Sequence, residues 1–316
     1  MTGLRRHSLF MSTAALTAAV SMSPAHCAAT PPSIRQTWLN AREGVELRVL
    51  TGGTANAANR SIVFIPGWST GADIWQQQMS IFARAYPVIS FDPRSQGLSS
   101  KTSGDNTPEA RADDLRAMII HEGLHRPVLV AWSQAVQDVA AYVLKYGTGG
   151  ISGIVFVDAA VSDGAASISE RPQQSARQFE LFATYQADQR AYLRGMFNAI
   201  ISHPQAGGMI ERAVSVGMKT PPSIGISMLV ADMFGKDRTA ALGKIDCPVL
   251  IIAAASSNDA DRQKAELERL KEGRFVQIQD SAHAVFLDQP VQFADALSGF
   301  LASLPSKTIK PMKGSR

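Results

Sequence analysis

The stretch VLVAWSQAVQD, Val128 to Asp138, joins an apolar run to a helical pattern through one serine. Val128 to Trp132 reads as a buried strand, and from Ala135 the apolar residues recur at helical spacing. A serine hydroxyl is a weak nucleophile. It needs exposure on a sharp turn and a base to take its proton. A strand-to-helix turn exposes Ser133 and sets the backbone N–H of Gln134 at a helix N-terminus, where it can stabilise an oxyanion. A serine here also suits a plain N-cap that starts the helix. The segment alone leaves both readings open.

On either side of this turn the chain alternates strands and helices. TWLNAREGVELRVLTGG reads as two short strands about an Arg-Glu-Gly turn, and SIVFIPG as a buried strand. ADIWQQQMSIFARA follows as a helix, and PVISFDPRSQG as strand then loop. TPEARADDLRAMIIHEG is a helix with Thr107 as N-cap and Pro108 at its first position. The helix after Ser133 ends at Gly147, and ISGIVFVDA is the next strand. From about Ala160 to Leu242 the rhythm stops in favour of several helices. It resumes with CPVLIIAAA, ADRQKAELERLKEG, the strand beginning RFVQIQD and the final helix VQFADALSGFLASL. This order predicts an α/β fold, a mostly parallel sheet flanked by helices, with a helical cap inserted over the strand ends.

The expected organisation is a signal peptide over 1–29, a core over 30–159 and 243–304, a cap over 160–242, and a flexible basic tail over 305–316. The signal reading rests on Arg5 and Arg6, an apolar run from Leu9 to Met22 too short to span a bilayer, and small residues near Ala28. It predicts export to the periplasm or medium, and a mature chain with no integral membrane span. Arg5-Arg6 matches a twin-arginine signal loosely, and His26 before Cys27 argues against a lipoprotein. The other cysteine, Cys247, reads as a small buried filler. The net charge of +4 is mild, and no dense Lys/Arg stripe with interleaved aromatics is present, which argues against a nucleic-acid partner. No Cys/His cluster has metal-ligand spacing.

Two further segments fall at strand ends. FIPGWST, Phe64 to Thr70, follows the first parallel strand. Gly67 there permits close backbone approach, and the N–H of Trp68 is a candidate second oxyanion donor. QDSAHAVFLDQP places His283 after the last strand. His7, His26, His121, His125 and His203 lack such a position.

Together these segments resemble the α/β-hydrolase superfamily. FIPGW resembles its oxyanion loop, with Pro66 where His is frequent. FDPRSQGLS, Phe91 to Ser99, resembles its D-x-R-G-x-G-x-S segment, with Ser95 for one glycine. AWSQA resembles the nucleophile elbow G-x-S-x-G, with Ala131 and Ala135 for both glycines. AHAVFLDQP resembles the segment around the histidine base. The resemblance spans about residues 35 to 303 and implies a Ser–His–acid triad of Ser133, His283 and an aspartate. In the family the acid usually follows the seventh strand, where this chain has Ser257. Asp259, two residues on, is favoured by strand order; Asp158, after the sixth strand, is the other candidate. Asp92 and Arg94 are expected to form a loop-bracing pair.

The resulting expectation is a serine hydrolase cleaving an ester, thioester, amide or lactone through an acyl-enzyme, with no metal or organic cofactor. The expected partner is a small molecule with an apolar acyl group, lodged against Trp68, Trp132, Phe286 and some of Met196, Phe197, Met209, Met218, Met228, Met233 and Phe234. The competing readings are a cofactor-free oxygenase, perhydrolase or lyase on the same fold, and a non-catalytic ligand-binding member. An aspartate nucleophile, as in dehalogenases or epoxide hydrolases of the fold, is disfavoured by Ser133.

Overall fold

The computed structural model describes residues 33–53, 60–204 and 207–305. The expected signal peptide with Cys27 and the tail beyond Pro305 lie outside these residues.

The strands are β1 (Arg35–Arg42), β2 (Val45–Gly52), β3 (Ile62–Ile65), β4 (Val88–Phe91), β5 (Val128–Trp132), β6 (Gly153–Val157), β7 (Val249–Ala254) and β8 (Gly273–Ile278). They form one sheet in the order β1-β2-β4-β3-β5-β6-β7-β8. β2 runs antiparallel to both β1 and β4. All pairings from β4 to β8 are parallel.

β3, β5, β6 and β7 are buried along their whole length and carry no polar side chain, because both faces are covered, whereas β8 at the sheet edge exposes Arg274 and Gln277. Period-two alternation sorts their side chains. Phe64, Val130 and Trp132 enter one core, with Trp75 and Phe286. Val63, Leu129 and Ala131 enter the other, with Tyr142 and Phe156. β3 and β5 are neighbours, yet the chain leaves β3 toward β4 on one side and enters β5 on the other. Such a reversal opens a crevice at the carboxyl ends of the strands. It sets the loop carrying Gly67 and Trp68 beside the turn carrying Ser133.

Helix ends follow their local chemistry. Thr107 accepts the Ala110 N–H at 3.3 Å and Pro108 opens the helix Pro108–His121. The helix Ala135–Tyr146 ends at Gly147, whose φ of +68° suits glycine. The helix expected over ADRQKAELERLKEG is instead a short one, Ala260–Ala265, followed by a 3₁₀ turn, Glu266–Arg269. The break falls at Glu266, whose carboxyl group turns inward and accepts the Val161 N–H at 2.6 Å.

Between β6 and β7 the described residues form α-helices at Ala166–Glu170, Pro172–Ala187, Gln189–Ile200, Met209–Gly217 and Pro222–Met233. Tyr185, Leu193, Phe197, Val214 and Met228 of this insert join the same apolar cluster as Trp68 and Trp132, so it seats on the strand ends. No helix among the described residues is long and apolar enough to cross a membrane.

Asp92 and Arg94 do not pair with each other. Asp92 accepts the N–H groups of Ala72 and Leu98, each at 2.7 Å. Arg94 makes a two-pronged bond to Asp114, both contacts 2.5 Å. Both residues brace the loop, through separate partners. Cys247 is buried, and burial pushes its thiol up to about 12.

Candidate active site

Ser133 stands between β5 and the helix Ala135–Tyr146 with φ of +57°. This left-handed conformation is costly for a side chain with a Cβ and occurs where surrounding structure enforces it. The enforcing bonds are visible: Ser133 N–H donates to Val157 O at 3.0 Å, and Val136 N–H donates to Ser133 O at 3.0 Å. The strain sits on the serine while Ala131 and Ala135 are fully buried. Gly67 is the glycine this turn does require. A Cβ there would lie 3.1 Å from Ser133 Cβ and 3.1 Å from the Trp132 ring.

His283 Nε2 lies 2.8 Å from Ser133 Oγ, and His283 Nδ1 lies 2.8 Å from Asp158 Oδ2. The histidine loop is fixed from three directions. Trp132 Nε1–H donates to His283 O at 2.8 Å. Asp288 accepts the Ala282 N–H at 2.7 Å, and Ala284 N–H donates to Ile200 O at 2.8 Å.

The acid in contact with His283 is Asp158, and Asp259 is not part of that chain of bonds. Asp158 follows β6, the strand next to β5, so a φ of +49° suffices to bring its carboxylate to His283. Asp259 stands at the N-cap position of the helix Ala260–Ala265 without a side-chain capping bond; it accepts the Ala160 N–H at 3.3 Å and lies 3.7 Å from Arg262. Burial works to raise the Asp158 carboxyl. The bond and charge of His283, the Ala254 N–H and the Ser257 hydroxyl outweigh it and hold the group below its ordinary value. Ser257, at the position where the family resemblance puts its acid, thus supports the acid from the neighbouring strand. An ionised Asp158 fixes the proton of His283 on Nδ1, which leaves the Nε2 lone pair facing the Ser133 hydroxyl.

The two proposed oxyanion residues flank Ser133. Among the described residues no acceptor engages the backbone N–H of Trp68 or Gln134. Their side chains are tied down: Trp68 Nε1–H donates to Gly225 O at 2.9 Å, and Gln134 Nε2–H donates to Asp232.

Ser133, His283 and Asp158 share a cavity of about 460 Å³. Trp132 and Phe286 do not line it. Trp132 points into the core beneath His283, and Phe286 stacks on Trp75 with ring centroids 3.8 Å apart. The larger apolar side chains of the wall are Trp68, Leu229, Met233 and Phe234, with three alanines beside them; much of the rest is Ser, Gln, Asp and Arg. The expected apolar pocket is therefore in large part polar, because the insert turns its apolar residues toward the sheet. A second cavity, about 660 Å³, lies between Thr70–Ser80 and the helix Met209–Gly217 and includes none of Ser133, His283 or Asp158. Asp232, absent from the sequence-based expectations, is a lone acid inside the apolar run SIGISMLVADM, a pattern that signals a carboxylate buried with a partner.

The pattern of the alpha/beta hydrolase family matches residues 62–296, from β3 into the last helix. The chain belongs to the alpha/beta hydrolase family. Among family relatives, a non-heme haloperoxidase of Rhodococcus erythropolis is 30% identical over 123 residues, 39% of this chain and 43% of the relative. The chain thus spans less than half the length of the curated relative it matches there. A 3-oxoadipate enol-lactonase of Acinetobacter baylyi is 23% identical over 287 residues, 86% of this chain and 98% of the relative. An esterase from Exiguobacterium antarcticum shares the hydrolase fold with a TM-score of 0.76 at 18% identity, over 85% of this chain and 100% of that one.

Proposed function

We propose that this protein is a serine hydrolase that cleaves a carboxylic ester, lactone, thioester or amide through an acyl-enzyme. The observation that carries the reading is the unbroken chain Asp158–His283–Ser133, with both contacts at 2.8 Å. Ser133 Oγ attacks the acyl carbon while His283 Nε2 takes its proton. The oxyanion forms facing the N–H groups of Trp68 and Gln134. His283 then passes the proton to the leaving group, and water repeats the cycle on the acyl-enzyme. Asp158 stays ionised and stabilises the imidazolium.

The cavity volume suits a small or medium substrate. Its polar wall favours a short acyl group with hydrogen-bonding substituents over a long alkyl chain. We read residues 1–29 as a signal peptide for export, on the basic, apolar and small-residue layout already described.

Relatives named as haloperoxidases support a second reading, in which hydrogen peroxide replaces water and the same acyl-enzyme yields a peracid and free serine. The decisive experiment is labelling with a serine-directed fluorophosphonate, with peptide mapping to Ser133, beside turnover of p-nitrophenyl acetate. Labelling and turnover are expected in the intact protein and absent in Ser133→Ala. An intact protein that takes no label and cleaves no activated ester overturns the reading. Peracid formation with hydrogen peroxide separates the second reading from the first.

A further inference from the structure

Both residues that flank Ser133 as oxyanion donors are bonded, through their side chains, to one helix of the insert. Trp68 Nε1–H donates to the carbonyl of Gly225 at 2.9 Å, and Gln134 Nε2–H donates to Oδ2 of Asp232. Gly225 and Asp232 lie on Pro222–Met233 and are seven residues apart. Seven residues make about two helical turns, so both groups fall on one face, roughly 10 Å apart. That face meets the loop after β3 with one turn and the elbow after β5 with the other.

The Asp232 end is built at some cost. Asp232, Arg111 and Asp138 are all buried. Arg111 donates to Asp232 Oδ1 at 2.5 Å, to Asp138 Oδ1 at 2.8 Å and to Asn106 O at 2.6 Å. Gln134 and Asp138 lie one turn apart at the start of the helix Ala135–Tyr146. The bonds Gln134–Asp232–Arg111–Asp138 therefore close a ring through that helix. Buried charges often add little net stability over apolar packing, and in some proteins they fix one arrangement. Here the arrangement fixed is that of the residue after the nucleophile.

We propose that the helix Pro222–Met233 sets the oxyanion hole, with Asp232 as a positioning residue that acts through Gln134. The inference rests on Ser133 being the nucleophile. The insert is then more than a lid over the cavity: its seating aims both N–H groups at the substrate oxygen.

The test is a double-substitution cycle on the full chain, read by p-nitrophenyl acetate kinetics, by the rate of fluorophosphonate labelling at Ser133, and by thermal melting. Asp232→Ala leaves Arg111 paired one-to-one with Asp138, and Asp232→Asn keeps the shape if the alanine variant folds poorly. Loss of an oxyanion donor costs about 10² to 10³ in kcat; a misaimed donor is expected to cost about 10-fold to 100-fold, with KM little changed. Gln134→Ala retains the N–H but loses the tether. In that background Asp232→Ala is expected to add no more than about twofold, because independent sites add and coupled ones do not. Trp68→Phe, which keeps the ring and loses the indole N–H, is expected to lower kcat in the same way. An Asp232→Ala enzyme with wild-type kcat, or a cost that adds in full to that of Gln134→Ala, overturns the proposal while labelling of the wild type keeps the hydrolase reading intact. A wild type that neither labels nor turns over ester overturns both.

Discussion

His283 reaches Asp158, and not Asp259, through its Nδ1, at 2.8 Å. Asp259 lines the same cavity, yet its carboxylate faces the Ala160 N–H and Arg262. The two aspartates should therefore separate cleanly. Asp158→Asn is expected to cost on the order of 10⁴ in kcat, by analogy with other triads. Asp259→Asn should stay within about tenfold of wild type, as expected for a group outside the proton path. Ester kinetics on the two variants decide it; the reverse ranking would remove Asp158 as the acid that orients His283.

Gly67→Ala should damage the elbow from the neighbouring loop. Its Cβ would press on Ser133 Cβ and the Trp132 ring, each 3.1 Å away. Neither is a flexible tip that can step aside. A loss of at least about tenfold in kcat and in labelling rate is expected, as for a displaced reacting group. Ala135→Gly, by contrast, should leave kcat near wild type and cost about 1 kcal/mol of stability through helix propensity.

Trp132→Phe removes one donor while keeping an aromatic ring beneath His283. The lost bond is the 2.8 Å contact to the His283 carbonyl. A stability loss of about 1 kcal/mol is expected, with kcat reduced and KM unchanged. Equal kcat in the two enzymes would show that Asp288 and Ile200 hold the histidine loop without Trp132.

Glu266 supplies a pH signature away from the reacting atoms. Burial, partly countered by the Val161 N–H and Arg262, pushes its carboxyl up to about 8. An unfolded chain loses this proton near 4.3. Between those values the unfolded state holds fewer protons, so folding stability falls as pH rises, by about 1.4 kcal/mol per pH unit. Above about 8 the two states match and the slope vanishes. Glu266→Gln keeps an acceptor for Val161 and removes the slope. Melting temperature from pH 5 to 9 should therefore diverge in favour of the glutamine variant and plateau above pH 8. Parallel curves would mean that Glu266 is ionised in the folded protein at neutral pH.

The strands, the insert and the places of Ser133 and His283 were legible in the sequence because each depends on local pattern. Apolar runs bounded by Gly and Pro give the strands, and position after a strand gives the site. The acid was not, since Asp158 and Asp259 both follow strands and only the packing of β6 against β5 and β7 decides between them. Trp132 and Phe286 were misread for the same kind of reason: an aromatic beside a reactive residue looks like a pocket wall, and strand alternation turned Trp132 into the core. Asp92 and Arg94 suggest a pair because they carry opposite charges two residues apart, whereas their bonds run to Ala72, Leu98 and Asp114.

With Asp158 as the acid, the triad's last member lies two residues before the insert begins at Ala160. The first insert residues are themselves pinned, Ala160 by Asp259 and Val161 by Glu266. A foreign insert grafted onto this core would have to be joined after Val161 to spare the acid. It would also have to carry its own equivalents of Gly225 and Asp232. Insert exchange on this core is thus constrained at its entry seam, at the helix Pro222–Met233 and at the buried face carrying Tyr185, Leu193, Phe197 and Val214.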